Sequence, residues 1–353
     1  MSKRIPANRQ RIFYTPNPET SGYMWDVWLK VHEGNYYLYY LASREGGPGR
    51  AFDSIGLATS DDGVSWTEHG TVVTLSPESR TMGSCGVWPS IGDGLPTFIM
   101  NLCEGRGKHG EHNMPALGSD DLVHWRRLDA KHDFLRDLRW YEPDGRWVGI
   151  SVIPNPEGGY YGYWSATPKP ETRALFGFGR SNDGLNWEAL PPPVTEGLSR
   201  GGVREVGGAA VIDGKVYLLY CAGQGEMTVF VGDRPEGPFR IQEKNAHVLF
   251  GHTHFARFAE SGDGPLVVHH VIGPTELDTP PLCSSAPIKR AIVDEEGILR
   301  LVYWNGNDRL KTNPVPVQLA DPGEAESGSR MRMLENKFDG TRGLVLEGRF
   351  TVQ

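Results

Sequence analysis

SDDGVSW at 60–66, SDDLVHW at 119–125 and SNDGLNW at 181–187 are three copies of one heptapeptide. Their last residues, Trp66, Trp125 and Trp187, lie 59 and 62 positions apart. A weaker copy, GDRPEGPF at 232–239, ends on Phe239, another 52 positions along. Each copy follows an alternating apolar stretch. The Asp-Gly pairs suit a tight turn with φ above zero, so each copy reads as a turn leading into a strand.

A second signal lies upstream of each copy. MWDVWLKVHEGNYYLYYLAS (24–43) reads as strand, turn at Glu33-Gly34, strand. GVWPSIGDGLPTFIMNLCEG (86–105) turns at Asp93-Gly94, LRDLRWYEPDGRWVGISVIP (135–154) at Asp144-Gly145, and REVGGAAVIDGKVYLLYCAG (204–223) at Asp213-Gly214. THFARFAESGDGPLVVHHVIG (253–273) turns near Gly262-Asp263-Gly264 and continues into another hairpin, APIKRAIVDEEGILRLVYW (286–304). Five repeats with about four strands each predict an all-β, five-bladed β-propeller. A pair of β-sandwiches would not give such even spacing. The predicted organisation is a propeller over 1–312 and a short C-terminal extension over 313–353, which adds closing strands or begins a further β domain.

Composition fits this reading. The 45 glycines and 26 prolines are about a fifth of the 353 residues, which favours many tight turns over long helices. The formal net charge of −8 comes without a basic stripe, which argues against a nucleic-acid partner. No apolar run is long enough to span a membrane. The start, MSKRIPANRQRIFY, lacks the apolar region of a secretory signal, so the expected location is cytoplasmic. Cys85, Cys103, Cys221 and Cys283 form no CxxC pair and read as free thiols.

The innermost strand of each blade lines the central channel, and residues where it begins rim one mouth. Counting back from each turn glycine finds equivalent positions. Asp26 lies 8 before Gly34, Asp137 lies 8 before Gly145, and Glu205 lies 9 before Gly214. Three blades thus present a carboxylate in nearly the same register. One acid at a strand start is ordinarily a turn former; three in register predict a shared funnel. Like charges held together raise one another's pKa, a tension typical of functional sites. One carboxylate that attacks the anomeric carbon or activates water, and one protonated acid for the leaving oxygen, make a glycosidase. Around them, Trp25 and Trp88 are candidates for stacking on sugar rings, and Arg136, Arg204 and His254 for binding hydroxyls. Packing, ion pairing and burial are the structural alternatives for these five. His269 and His270, on the second strand of blade 5, receive no role.

These residues resemble the five-bladed propeller glycosidases, the group of glycoside hydrolase families 32, 43, 62 and 68, over residues 20 to 312. Met24-Trp25-Asp26-Val27-Trp28 is similar to the WMNDPNG motif of family 32, Arg136-Asp137-Leu138 to its RDP motif, and Arg204-Glu205-Val206 to its EC motif. Val27-Trp28 replaces Pro-Asn, Leu138 replaces proline and Val206 replaces cysteine. The resemblance implies Asp26 as nucleophile, Asp137 as transition-state stabiliser and Glu205 as general acid/base. On the family 43 pattern Asp26 is instead the base that activates water, Asp137 the residue that tunes and orients, and Glu205 the acid. It implies hydrolysis of fructo- or arabinofuranoside-containing oligosaccharides without a cofactor, with room for a structural cation in the channel. Sugar binding without turnover, and transglycosylation or phosphorolysis on the same scaffold, are the alternatives.

Overall fold

Strands apolar at nearly every position, such as Asn35–Ser43, give a sheet two apolar faces, and a four-stranded sheet standing alone cannot cover both. The computed structural model, which describes residues 12–44, 52–105, 112–198, 205–221, 226–249, 253–272, 283–311 and 314 (without the side chains of Cys85, His112 and His254), shows how this chain covers them. Five sheets follow one another, each built on four antiparallel strands, and three of them carry a fifth. Their inner strands are Tyr23–His32, Thr81–Pro89, Trp147–Pro154, Glu205–Ile212 and Thr253–Ala259. Their outer strands are Thr67–Thr74, Arg126–Arg127, Glu188–Leu190, Phe239–Ile241 and Leu299–Tyr303. Inner strands of consecutive blades touch, and that of blade 5 touches that of blade 1. The ring is closed, and the fold is the expected five-bladed propeller. Tyr14 exchanges two backbone hydrogen bonds with Ser285, tying the segment before blade 1 to blade 5. The predicted extension over 313–353 lies outside the described residues, apart from Pro314.

The core is divided among the seams. Each of five apolar clusters spans two neighbouring blades. Tyr39 and Leu41 of blade 1 face Met82 and Met100 of blade 2, while Leu38, Tyr40 and Ala42 on the other face meet Leu266 and Val268 of blade 5. The repeated heptapeptide sits on these seams. In SDDGVSW the Ser60 hydroxyl donates to Asp62, whose carboxylate accepts from the N–H groups of Val64 and Ser65, while the N–H of Gly63 donates to Ser60. Ser119 with Asp121 and Ser181 with Asp183 repeat the pattern. In blade 2, Leu122 takes the left-handed conformation (φ 65°) that glycine takes in the other two.

These turns receive bonds from the preceding blade. The Tyr39 hydroxyl donates to Leu122 O at 2.5 Å, and Trp88 Nε1 to Gly184 O at 2.8 Å. Further round, the Tyr163 hydroxyl donates to Pro235 O at 2.8 Å and that of Tyr217 to Gly297 O at 2.9 Å. Four seams therefore carry the same device, a buried aromatic donor on a turn carbonyl. At the remaining seam Trp304 packs on Tyr36 of blade 1 at 5.7 Å between ring centroids.

One hairpin differs from expectation. In blade 3 the inner strand is Trp147–Pro154 and its partner is Tyr160–Ala166, so the connecting turn is Asn155–Gly159, not Asp144-Gly145. Residues 135–143 form no named strand. Leu135 and Leu138, which gave that stretch its apolar alternation, are exposed.

The seam bonds predict that Tyr39→Phe, Tyr163→Phe and Tyr217→Phe each lower unfolding stability by about 1–2 kcal/mol, because each leaves a carbonyl without its donor. Denaturant unfolding of the three single variants and the triple should show near-additive losses, since the sites lie on separate seams. Wild-type stability in all three would remove the seam bonds from the account of the fold.

Candidate active site

Every inner strand is interrupted at the same depth. The pairing register slips between Met24 and Val27, Gly83 and Gly86, Val148 and Ile150, Val206 and Gly208, and His254 and Arg257. A β-bulge re-aims the side chains it carries and ends regular pairing. Asp26 is one of the two residues that stand opposite Leu41 alone in the bulge of blade 1. Its side chain is nearly buried, and the Ser84 hydroxyl of the neighbouring bulge acts to lower its pKa. Arg257, the first regular residue after the bulge of blade 5, places Nη2 3.9 Å from Asp26 Oδ2. The Arg257 guanidinium is buried and held over the rings of Phe255 and Trp28, at 4.5 and 5.9 Å. His270, fully buried, sets Nδ1 3.8 Å from Asp26 Oδ1 and tilts against Trp25.

Glu205 opens the inner strand of blade 4. Its carboxylate accepts a hydrogen bond from Arg146 Nη1, and the side chain remains partly exposed. Arg146 immediately precedes the inner strand of blade 3, so this pair bridges two blades. Glu205 and Asp26 act on one another. Burial lifts the Asp26 carboxyl to about 7; Arg257 opposes that rise, the charge of Glu205 adds to it, and the Ser84 hydroxyl and Arg146 oppose it further. Burial beside a second carboxylate thus keeps Asp26 close to neutrality near pH 7.

The third acid is elsewhere. Asp137 lies in the stretch before the inner strand of blade 3. Its carboxylate is bound by Arg139 through Nε and Nη2, at 3.0 and 2.6 Å, and accepts from the Arg139 N–H. Those bonds hold its pKa below the usual carboxylate range. The next charge acting on Arg139 is Glu188, on the outer strand of blade 3. The shared register of three acids is thus corrected to two, because the turn that placed Asp137 is not the turn of the inner hairpin.

Among the binding candidates, Trp25 stands beside Asp26 and stacks on Phe52 at 6.2 Å. Trp88 is buried at the seam of blades 2 and 3, edge-on to Trp187, which is its structural alternative. Arg136 donates to the carbonyls of Glu142, Pro143 and Gly145 and so braces the loop that holds Asp137. Arg204 and the His254 side chain lie outside the described residues. Arg146, Arg257, Ser84 and His270 were not among the candidates. A lone arginine inside the apolar strand THFARFA was the legible sign of one of them. Among the described residues no cluster of three His, Cys, Asp or Glu is placed to hold a metal ion. Cys103, Cys221 and Cys283 are buried, and burial pushes the Cys103 thiol up to about 12.

Comparison with known proteins places this geometry. The ring aligns with a family 32 β-fructofuranosidase from Bombyx mori over 90% of this chain and 70% of that one, with a TM-score of 0.67 and 12% identity. Fructan 1-exohydrolase IIa from Cichorium intybus aligns over 90% of this chain and 66% of that one (TM-score 0.64, 11% identity). A thermostable family 43 glycoside hydrolase aligns over 82% and 95% (TM-score 0.52, 18% identity). The chain has the five-bladed propeller fold of these enzymes. In sequence it matches a probable arabinan endo-1,5-α-L-arabinosidase C from Aspergillus clavatus, 41% identical over 73 residues, 20% of this chain. That match spans 22% of the arabinosidase. No family model matches the chain.

A buried carboxyl held near pH 7 has a consequence for stability. Its folded pKa exceeds the unfolded value of 3.8. The folded state therefore keeps a proton that the unfolded state gives up, and stability falls as pH rises from about 4 to about 7. Asp26→Asn removes the group that titrates. The variant should gain a few kcal/mol relative to wild type at pH 8 and much less at pH 5. A stability difference that does not change with pH would contradict the burial of an ionisable Asp26.

Proposed function

We propose that the chain is a glycoside hydrolase whose acid pair is Asp26 and Glu205. The observation that carries the reading is that pair: two carboxyls on the inner strands of blades 1 and 4, in each other's field, with Asp26 raised to about 7. Glycoside cleavage needs one carboxyl to supply a proton to the leaving oxygen while the other attacks or activates water. With its carboxyl raised to about 7, Asp26 is ionised above that pH and so able to attack or to activate water there. Following the resemblance, Glu205 delivers the proton once substrate displaces Arg146 from it, and Asp26, its charge stabilised by Arg257, works on the anomeric carbon. Trp25 is placed for one face of the sugar ring.

The substrate we propose is a furanoside-containing oligosaccharide. Fructofuranosidases among the solved structures and an arabinosidase in sequence support that class. Asp26→Asn and Glu205→Gln should each lower kcat/KM on aryl arabinofuranosides, arabinan or fructans by about a thousandfold or more. Asp137→Ala should lower it less than about tenfold, since Asp137 is held by Arg139 away from the pair. Full activity in either of the first two variants would overturn the assignment. The displacement of Asp137 favours one second reading, a propeller that binds the sugar without turning it over. Binding by calorimetry with no product on prolonged incubation is its signature.

The pH profile gives an independent check. Asp26 must be ionised to attack or to activate water, so kcat/KM should rise as pH climbs through about 7. Arg257 lowers the pKa of Asp26, so Arg257→Met should move that acid limb to higher pH, and Arg257→Lys should restore much of the shift. A limb that stays in place in Arg257→Met would separate Asp26 from it.

A further inference from the structure

The inner strands end, as they begin, around the channel. The far mouth, remote from Glu205, opens into a chamber of about 330 Å3 lined by inner-strand residues from all five blades. Two features set it apart from the acid site. The first is charge. Its charged lining is Lys30, Arg257 and Glu260, one positive charge in excess. Lys30 lies four residues beyond Asp26 on the same strand, and burial pulls its ammonium below the ordinary range, with Glu260 opposing. Arg257 closes the inner end of the chamber and meets Asp26 on its other side. Glu260 is exposed at the rim.

The second feature is an apolar rim. Ile91 and Val211 are 45% and 46% exposed, among the few large apolar side chains that face water in the described chain, and both stand at this mouth. Apolar side chains exposed around a concavity with a few fixed polar groups are the ordinary make-up of a small-ligand site. Few side-chain hydroxyls line it: that of Tyr160 already donates to Pro89 O, and Ser151 Oγ accepts from the Ala209 N–H.

We propose that the far chamber binds a small organic monocarboxylate, its carboxylate toward Lys30 and Arg257 and its hydrocarbon part against Ile91 and Val211. The anion supplies the desolvated ammonium with a partner, and its apolar part covers the rim. Because Arg257 is common to both ends of the channel, a carboxylate here and an ionised Asp26 draw on one guanidinium.

The test uses 4-phenylbutyrate as probe and calorimetry on the full chain, so it does not depend on any hydrolytic activity. Wild type should bind with a Kd of about 1 mM or tighter, and 4-phenylbutanol about tenfold more weakly. Lys30→Met and Val211→Asp should each weaken binding of the carboxylate by about tenfold or more. Val211 is half-exposed, so its variant folds without repacking a core. Asp26→Asn should bind the probe at least as tightly as wild type, which locates the site away from the acid pair. No binding to wild type at 20 mM (about twentyfold above the expected Kd), equal binding of the alcohol, or unchanged affinity in both Lys30→Met and Val211→Asp would each overturn the proposal.

Discussion

The structure depends on covering the second face of each sheet. A blade buries one face against its predecessor and the other against its successor, and only closure of the ring satisfies the first and last. The aromatic donors make this contact directional. Apolar faces alone allow neighbouring blades to slide; a hydroxyl or indole N–H seated on one turn carbonyl fixes depth and rotation together. In blades 2 and 3 the heptapeptide presents that carbonyl. Its serine and aspartate satisfy the turn's own N–H groups, which leaves a rigid acceptor for the neighbouring blade.

That division explains what the sequence made legible. The turns are local: donors and acceptors fall within five residues, so they recur as a readable string, and with them the number of blades. Four of the five inner hairpins follow from their turn glycines. The failure in blade 3 has a physical cause. LRDLRWYEPDG carries alternation and an Asp-Gly turn, the same marks as a hairpin, but nothing local reveals that Leu135 and Leu138 face water. Arg136, whose guanidinium gathers three carbonyls, stabilises the alternative as a loop. Tyr160–Ala166 needs an antiparallel partner, and Asn155-Pro156-Glu157-Gly158-Gly159 supplies the turn. Counting three strands back from the heptapeptide, instead of counting from the nearest glycine, identifies it.

The site was legible in its acids and not in its cations. Asp26 and Glu205 announce themselves at the starts of inner strands. Arg146, Arg257 and His270 come from other blades, and only closure of the ring brings them to those acids. Their effect is to make burial of Asp26 tolerable without cancelling it. Full compensation would leave an ordinary surface-like carboxylate; none would leave a permanently neutral one. The intermediate balance costs stability above neutrality, a common expense at functional sites.

The recurring bulge limits how this scaffold can change. It offers five positions at one depth around the channel, and a ring invites the idea that an acid could move from one blade to the next. Two of the positions are sterically closed. A Cβ on Gly207 would lie 2.2 Å from the Ala256 carbonyl oxygen, and Gly149 combines φ +59° with the Ser84 oxygen 3.1 Å away. Close approach of neighbouring inner strands, the same approach that narrows the channel, has used up that space. Divergence within this architecture therefore runs through loss, loop exchange and changes of the cations around a fixed acid, and not through rotation of the acid around the ring.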